Sequence, residues 1–300
     1  MMMKNLISKH KKWFGYAIFA LVLTLALLYY RFPSDALRHY LEATAQKANP
    51  LLSLSIDHIK LQLPVGLRFE RSKLVLRDEP EKAIFSSNSL LVKPLLASLF
   101  QGELGCSFNC RAYNGNLKGR IYLNRDRNGN SIETELQLSN IQLDDYDYLS
   151  DLIERDIGGS LNGTISYKGP CDLLMNGSGK ANLTLSDGRV EIVLPLFTLN
   201  SIDFDKMEIE MLLQKKKVNV TRLELKGKKL RGTLSGTIGL KKEIRKSTLD
   251  LQGTIEPFPA FFKSIAGIHD TIRFFKKRLK QGTFSFVIHG TMAEPRIQFT

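Results

Sequence analysis

The chain has 300 residues, 43% of them hydrophobic and 24% charged, which is enough apolar material for a folded core and excludes a disordered tail or a mini-protein. Its formal charge of +13 is partly terminal, because the first twelve residues hold Lys4, Lys9, Lys11 and Lys12 and no acid. Three cysteines, Cys106, Cys110 and Cys171, cannot build a disulfide framework, and neither they nor the five histidines show zinc-ligand spacing.

From Trp13 to Tyr30 the chain runs without a charge, with Trp13, Phe14, Tyr16, Tyr29 and Tyr30 near its ends, where rings favour the membrane–water boundary. As a helix it would be about 27 Å long, close to a hydrocarbon core of about 30 Å. A cleaved signal peptide would have a shorter apolar core and a small-residue cleavage site, whereas Arg31-Phe32-Pro33 follows here. The expectation is a retained single-pass anchor at 13–30 after a basic cytoplasmic tail at 1–12. The lysine excess before the span orients the bulk of the chain to the far side, which in a bacterium is the periplasm.

After Pro33, Ser34 is placed to cap a juxtamembrane helix within 31–49, with Leu37, Tyr40, Leu41 and Thr44 at helical spacing. Beyond Pro50 the pattern alternates. Leu52, Leu54 and Ile56 share one phase, and Ile59, Leu61 and Leu63 continue one step out of it. Alternation returns at 67–76, 117–123, 132–138, 202–212 and 218–225, the last two joined across Lys215-Lys216-Lys217 as a hairpin with a charged tip. Helices are expected near 92–100, with Pro94 in a first turn, near 144–156, and over 259–280. The fold class is therefore mainly β with a few helices: an N-terminal transmembrane helix, then a β-rich domain over 50–300.

An apolar-x-Gly-Thr-apolar signature recurs at 161–165, 234–238, 251–255 and 288–292. A glycine inside a strand marks a bulge or bend, so its repetition predicts an elongated, curved, mostly antiparallel sheet; the unequal intervals exclude a strict solenoid.

Candidate chemistry is sparse. Asn124 to Gly129 followed by Glu135 matches a calcium-loop spacing, yet alternating strands flank it, so Asn128-Gly129 reads as a hairpin turn. Gly227 to Gly232 has phosphate-loop spacing without the Lys-Ser/Thr that would reach phosphate, and no nucleophile elbow occurs. The acids at 144–156 read as a solvated helix face. No catalytic, cofactor or metal residue is expected, and no enzyme. Cys106 and Cys110 can form a disulfide only if Ser107-Phe108-Asn109 turns, since on a straight strand they stand about 13 Å apart; both states are open. The 259–280 segment steps through Phe261, Ile265, Ile268, Ile272, Phe275 and Leu279, flanked by Lys263, Arg273, Lys276, Lys277, Arg278 and Lys280. It either plugs the sheet or lies on anionic lipid or a partner's groove.

The order of these pieces resembles the type II secretion system protein N family, GspN, and more distantly the AsmA-like periplasmic proteins. The shared pieces are the anchor followed by Phe32-Pro33-Ser34-Asp35-Ala36-Leu37, the strand–helix–strand order around Pro94 to Phe100, the stretch from Leu194 through Ile202-Asp203-Phe204 to Leu234-Ser235-Gly236-Thr237-Ile238, and the end Gly290 to Pro295. The resemblance implies a non-catalytic inner-membrane component of type II secretion, working by contacts with the bilayer and other secretion proteins. The alternative it implies is an AsmA-like phospholipid-binding or transfer protein with an apolar groove. No nucleic acid is expected among the partners.

Overall fold

The computed structural model describes residues 3–300 except 64, 100–102, 127–128, 154, 172, 192–200 and 265–281. Helix α1 spans Met3–Tyr30 and α2 spans Ser34–Ala48. α2 starts at Ser34 itself after Pro33, with no side-chain cap, rather than one residue inside a serine cap.

Fourteen strands follow: β1 Leu52–Leu61, β2 Leu67–Leu76, β3 Glu79–Pro94, β4 Leu104–Ala112, β5 Gly115–Asp126, β6 Gly129–Gln142, β7 Ile157–Pro170, β8 Ser178–Glu191, β9 Ser201–Gln214, β10 Lys217–Lys226, β11 Leu230–Gly239, β12 Thr248–Pro257, β13 Phe284–Thr291 and β14 Pro295–Phe299. They form one sheet whose spatial order is the sequence order, and every pairing is antiparallel. Mainly β architecture in a long antiparallel sheet is as the alternation predicts.

Successive connections of such a meander alternate between two rims. The first rim carries the β1–β2 turn and every second connection after it, including α3 (Leu96–Leu99); the second carries the turn at Leu143–Asp145 with α4 (Asp147–Ile153), and α5 (Pro259–Ser264). α2 lies antiparallel along β1: Arg38 Nη1 donates to Asp57 O at 3.1 Å, and Ile56 N–H donates to Glu42 Oε1 at 3.2 Å.

Two expected helices are shorter than the sequence suggests. Val92 to Pro94 are strand, because they pair with Phe108, Ser107 and Cys106, and only Leu96–Leu99 turn helical. The acidic run at 144–156 is divided between a 3-10 turn and α4, and three of its exposed acids have partners. Asp144 Oδ2 accepts from Gly159 N–H at 2.9 Å, Asp145 Oδ2 accepts from Asn114 Nδ2 at 2.9 Å, and Asp151 pairs with Lys82 at 3.0 Å. Hydrogen bonding to Asp151 raises the Lys82 pKa.

Two of the four repeated glycines sit where the ladder is irregular; Gly253 and Gly290 stand in regular register. Gly163 (φ 152°) and Gly236 (φ 137°) pair with Leu138 and Val220, each the last regular residue before a bulge in the preceding strand. At the first of these bulges Asn140 adopts φ 57°, and its N–H donates to Asn162 Oδ1 at 2.8 Å. Bulges of this kind bend a strand and increase its local twist.

Candidate functional site: the open apolar face

Paired residues of an antiparallel ladder point to the same side of the sheet, so the register defines what each face presents. One row crosses all fourteen strands: Leu61, Leu67, Val92, Phe108, Gly119, Leu136, Ile165, Ala181, Met211, Val220, Gly236, Leu251, Ile288 and Ile297. The neighbouring row on the same face does the same, from Ile59, Phe69, Leu90 and Cys110 through Leu117, Leu138, Gly163, Leu183, Ile209, Leu223 and Leu234 to Gly253, Phe286 and Phe299. Neither row contains a charged, hydroxyl or amide side chain. At about 4.8 Å per strand the two rows extend about 60 Å in the hydrogen-bonding direction.

The opposite face is polar and tied by cross-strand ion pairs. Lys60 meets Glu70 at 2.9 Å, Lys168 meets Glu133 at 2.7 Å, and Arg189 meets Asp203 at 2.7 Å. Hydrogen bonds from Lys60 and Arg189 hold the Glu70 and Asp203 carboxyls below their usual range. An open recess of about 750 Å3 is lined by Lys118, Arg120, Glu135, Gln137, Lys180 and Asn182 together with Phe108, Leu136 and Ile165 of the apolar row.

Among the described residues several members of the two rows are buried, Ile59, Cys110, Val220 and Leu251 among them, and the clearest cover stands on the second-rim half. There Leu143 and Leu149 pack on Leu185, Phe204 and Met207, and Phe261 with Phe262 packs on Leu230 and Phe284. Phe261, first of the basic amphipathic stripe, is thus buried against the sheet. Lys263 is in α5 with its side chain outside the described ones; Arg273, Lys276, Lys277, Arg278 and Lys280 lie outside the described residues altogether. Along the two rows, Phe108, Leu117, Leu136, Ile165, Leu183, Ile209 and Leu234 are only half-buried, although they stand mid-sheet with a strand on either side. Among the described residues there is one sheet and no second layer over them.

The remaining sequence candidates are placed as follows. Trp13, Phe14, Tyr16, Tyr29 and Tyr30 are all exposed on α1. No helix among the described residues is long and apolar enough to cross a membrane; the side chains at 21, 25 and 28, inside the uncharged run, lie outside the described ones. Cys106 and Cys110 are free thiols on unbroken β4, so the turn that a disulfide needed does not form. The calcium-like segment joins β5 to β6 with Asp126 opposite Gly129, so Gly129 is a ladder residue rather than part of the turn the Asn-Gly reading gave it; 127–128 lie outside the described residues. The Lys215-Lys216 tip turns with φ 47° and 67°, and Gly227 N–H bonds Leu230 O in a strand-to-strand turn. Alternation did not assign β3, β4, β8 or β14, and so missed the contributions of Leu90, Phe108, Leu183 and Ile297; the resemblance alone implies strands on either side of Pro94 to Phe100, and alternation in 104–110 and 181–185 is the available signal.

Compared with protein-family models, curated proteins and solved structures, the chain matches none.

Proposed function

We propose that this protein is a membrane-tethered β trough that holds the acyl chains of phospholipid against its open apolar face. The observation that carries the reading is the pair of unbroken apolar rows, only half-buried at Phe108, Leu117, Leu136, Ile165 and Leu183 among the described residues, and backed by a charged opposite face. An apolar strip of this length exceeds what water-exposed surfaces ordinarily carry, and each methylene laid along it gains about 0.8 kcal/mol. Bulges beside Gly163 and Gly236 are the devices by which such a sheet curls around its contents. The uncharged run Trp13–Tyr30 supplies the tether, a single inner-membrane span with the N-terminus cytoplasmic and the sheet periplasmic. The work is retention and passage of a ligand rather than bond chemistry.

The test places a photo-crosslinking residue at Leu136 or Ile165 on the apolar face, and at Gln137 or Ser166 on the polar face, in the full chain expressed in its membrane. Phospholipid adducts at the first pair and not the second support the trough; adducts at neither, with no phospholipid above background in the purified protein, overturn it.

A second reading, a type II secretion component that acts by protein contacts, is favoured by the family resemblance and by β14, which ends the sheet order with Pro295–Gln298 exposed. A terminal strand is a ready acceptor for strand addition. Copurification of secretion subunits with the full chain, lost on truncation of β14, is its test.

A further inference from the structure

Four consecutive first-rim connections, 171–177, 215–216, 240–247 and 292–294, are knitted into one platform by backbone hydrogen bonds. Lys216 N–H donates to Met175 O at 2.8 Å, Leu240 N–H to Lys216 O at 2.7 Å, Met292 N–H to Ser247 O at 2.9 Å, and Ala293 N–H to Arg245 O at 3.0 Å. Ser247, fully buried, accepts the Lys241 N–H on its Oγ at 3.1 Å and fixes the largest of the loops.

The platform is both basic and greasy. Its loops and the first residue of β10 carry the run Lys215 to Lys217 with Lys241, Lys242, Arg245 and Lys246, all exposed, against Glu243 and Glu294 among the described residues; Glu243 is paired with Lys246 at 2.7 Å. Among the cations stand Leu173, Leu174, Ile244 and Met292, between 39% and 57% exposed. On the second rim, by contrast, the described connections 77–78, 113–114 and 227–229 have no exposed large hydrophobic side chain.

We propose that this platform docks on an anionic phospholipid bilayer, as a contact separate from the N-terminal helix. Two features of the composition decide for lipid over protein. Lysine outnumbers arginine six to one among the cations, whereas protein–protein interface cores are depleted in lysine and enriched in arginine. Leucine, isoleucine and methionine tips flanked by ammonium groups are the arrangement that enters the headgroup region while the charges stay with anionic lipid. Position matters as well. α1 leads through α2 into β1, the first strand, whereas the platform joins β7 through β14. From β1 to β7, the nearest strand of the platform, is about 29 Å along the sheet at about 4.8 Å per strand, so the tether and the platform touch lipid at different places. The proposal goes beyond the acyl-chain reading and does not depend on it.

The test uses the full chain in phosphatidylcholine nanodiscs, so that α1 is already accommodated, mixed with free vesicles of phosphatidylcholine alone or of an equal mixture with phosphatidylglycerol. Capture of the anionic vesicles only, abolished by high salt, is expected. Lys217→Glu with Lys241→Glu, Lys242→Glu and Lys246→Glu lowers that capture at least about tenfold. Reversal of Lys73, Lys118, Arg120 and Lys180 on the polar face, an equal change in net charge, leaves it unaltered. Equal capture of both vesicle types, or equal loss in the two variants, overturns the proposal. Should the platform reversal fail to fold by circular dichroism, Leu174→Ser with Ile244→Ser decides: reduced capture at unchanged net charge supports docking, and unchanged capture overturns it.

Discussion

The ring of Phe108 in β4 lies over Gly119, its partner in β5: a Cβ built on that glycine would stand 2.8 Å from Phe108 Cζ and 2.9 Å from Leu136 Cδ2. Phe286 stands over Gly253 in the same way at the far end of the sheet, with a Cβ there 2.6 Å from Phe286 Cζ. Glycine weakens a strand, and an aromatic neighbour laid across it restores the missing apolar cover. The face therefore stays smooth and hydrocarbon-like at positions where the backbone itself comes to the surface.

Gly119→Ala tests that arrangement. The new methyl also meets Glu135 O at 2.6 Å, and a backbone oxygen cannot swing aside, so a loss of about 1–3 kcal/mol in urea unfolding is expected. Gly232→Ala is the contrast: its nearest neighbours stand 3.7 Å and 3.9 Å away, and alanine there is neutral or stabilising by about 0.5 kcal/mol. If both variants unfold at the same midpoint, close packing over Gly119 is not what constrains it.

A charge placed on the face distinguishes an open surface from a core. Ile165→Lys puts an ammonium where the side chain is only half-buried, and lysine can reach water along the face, so a cost of about 1–2 kcal/mol is expected, within the ordinary range for point changes. Leu185→Lys, at 1% exposure under Leu143, buries the charge and is expected to prevent folding. Bound phospholipid should fall in the Ile165 variant although its circular dichroism is unchanged. A cost of several kcal/mol at Ile165 would mean that the face is covered.

Much of this arrangement is legible in residue order because strand alternation is local. The phase slip between Ile56 and Ile59 is real: Ile56 pairs with Ser72 and His58 with Glu70, leaving Asp57 opposite Arg71 outside the ladder. Arg71, at φ 48°, closes that gap with an ion pair to Asp57 at 2.6 Å. What is not legible is non-local. Pro94 reads as a helix start until Phe108 and Ser107 arrive as ladder partners for Val92 and Lys93, ten and more residues later. The continuity of the two apolar rows depends on thirteen registers at once, and a slip of one residue in any of them would turn a polar row onto the face. Grouping of the lysine and leucine loops on one rim follows only from the strand order.

Tyr113 predicts an alkaline limit to stability. It sits in the β4–β5 turn against Phe85 and Tyr146, and its hydroxyl oxygen accepts the Ser86 N–H at 3.0 Å. Burial pushes its pKa up from 10.0 to about 12. With the folded value above the unfolded one, the contribution is whole below pH ~10 and disappears as pH rises toward ~12, by roughly 2 kcal/mol. Tyr113→Phe should flatten the unfolding free energy over that interval while costing about 1 kcal/mol at neutral pH for the orphaned Ser86 N–H. An unaltered slope between pH 10 and 12 would assign the alkaline loss to other groups.

Thiol reactivity should rank Cys171 first, Cys106 second and Cys110 last. The reactive species is the thiolate, so access and acidity act together. Cys171 is exposed, Cys106 is half-buried, and Cys110 is buried. Burial also raises the pKa of both Cys106 and Cys110, and at Cys110 it outweighs the hydrogen bond with Ser87 that lowers it. β4 holds the two in extended register, Cys106 opposite Pro94 and Ile121, Cys110 opposite Leu90 and Leu117. Four residues of strand separate them by about 13 Å, against about 4–7 Å between the Cα atoms of a disulfide. Alkylation of the protein isolated without reductant, then unfolded, should therefore modify all three thiols, and pulse labelling of the native form should give the stated order. A Cys106–Cys110 linked peptide from the same preparation would require β4 to break between Ser107 and Asn109, and with it the pairing of Phe108 to Val92 and Gly119 that carries the apolar row from β3 into β5.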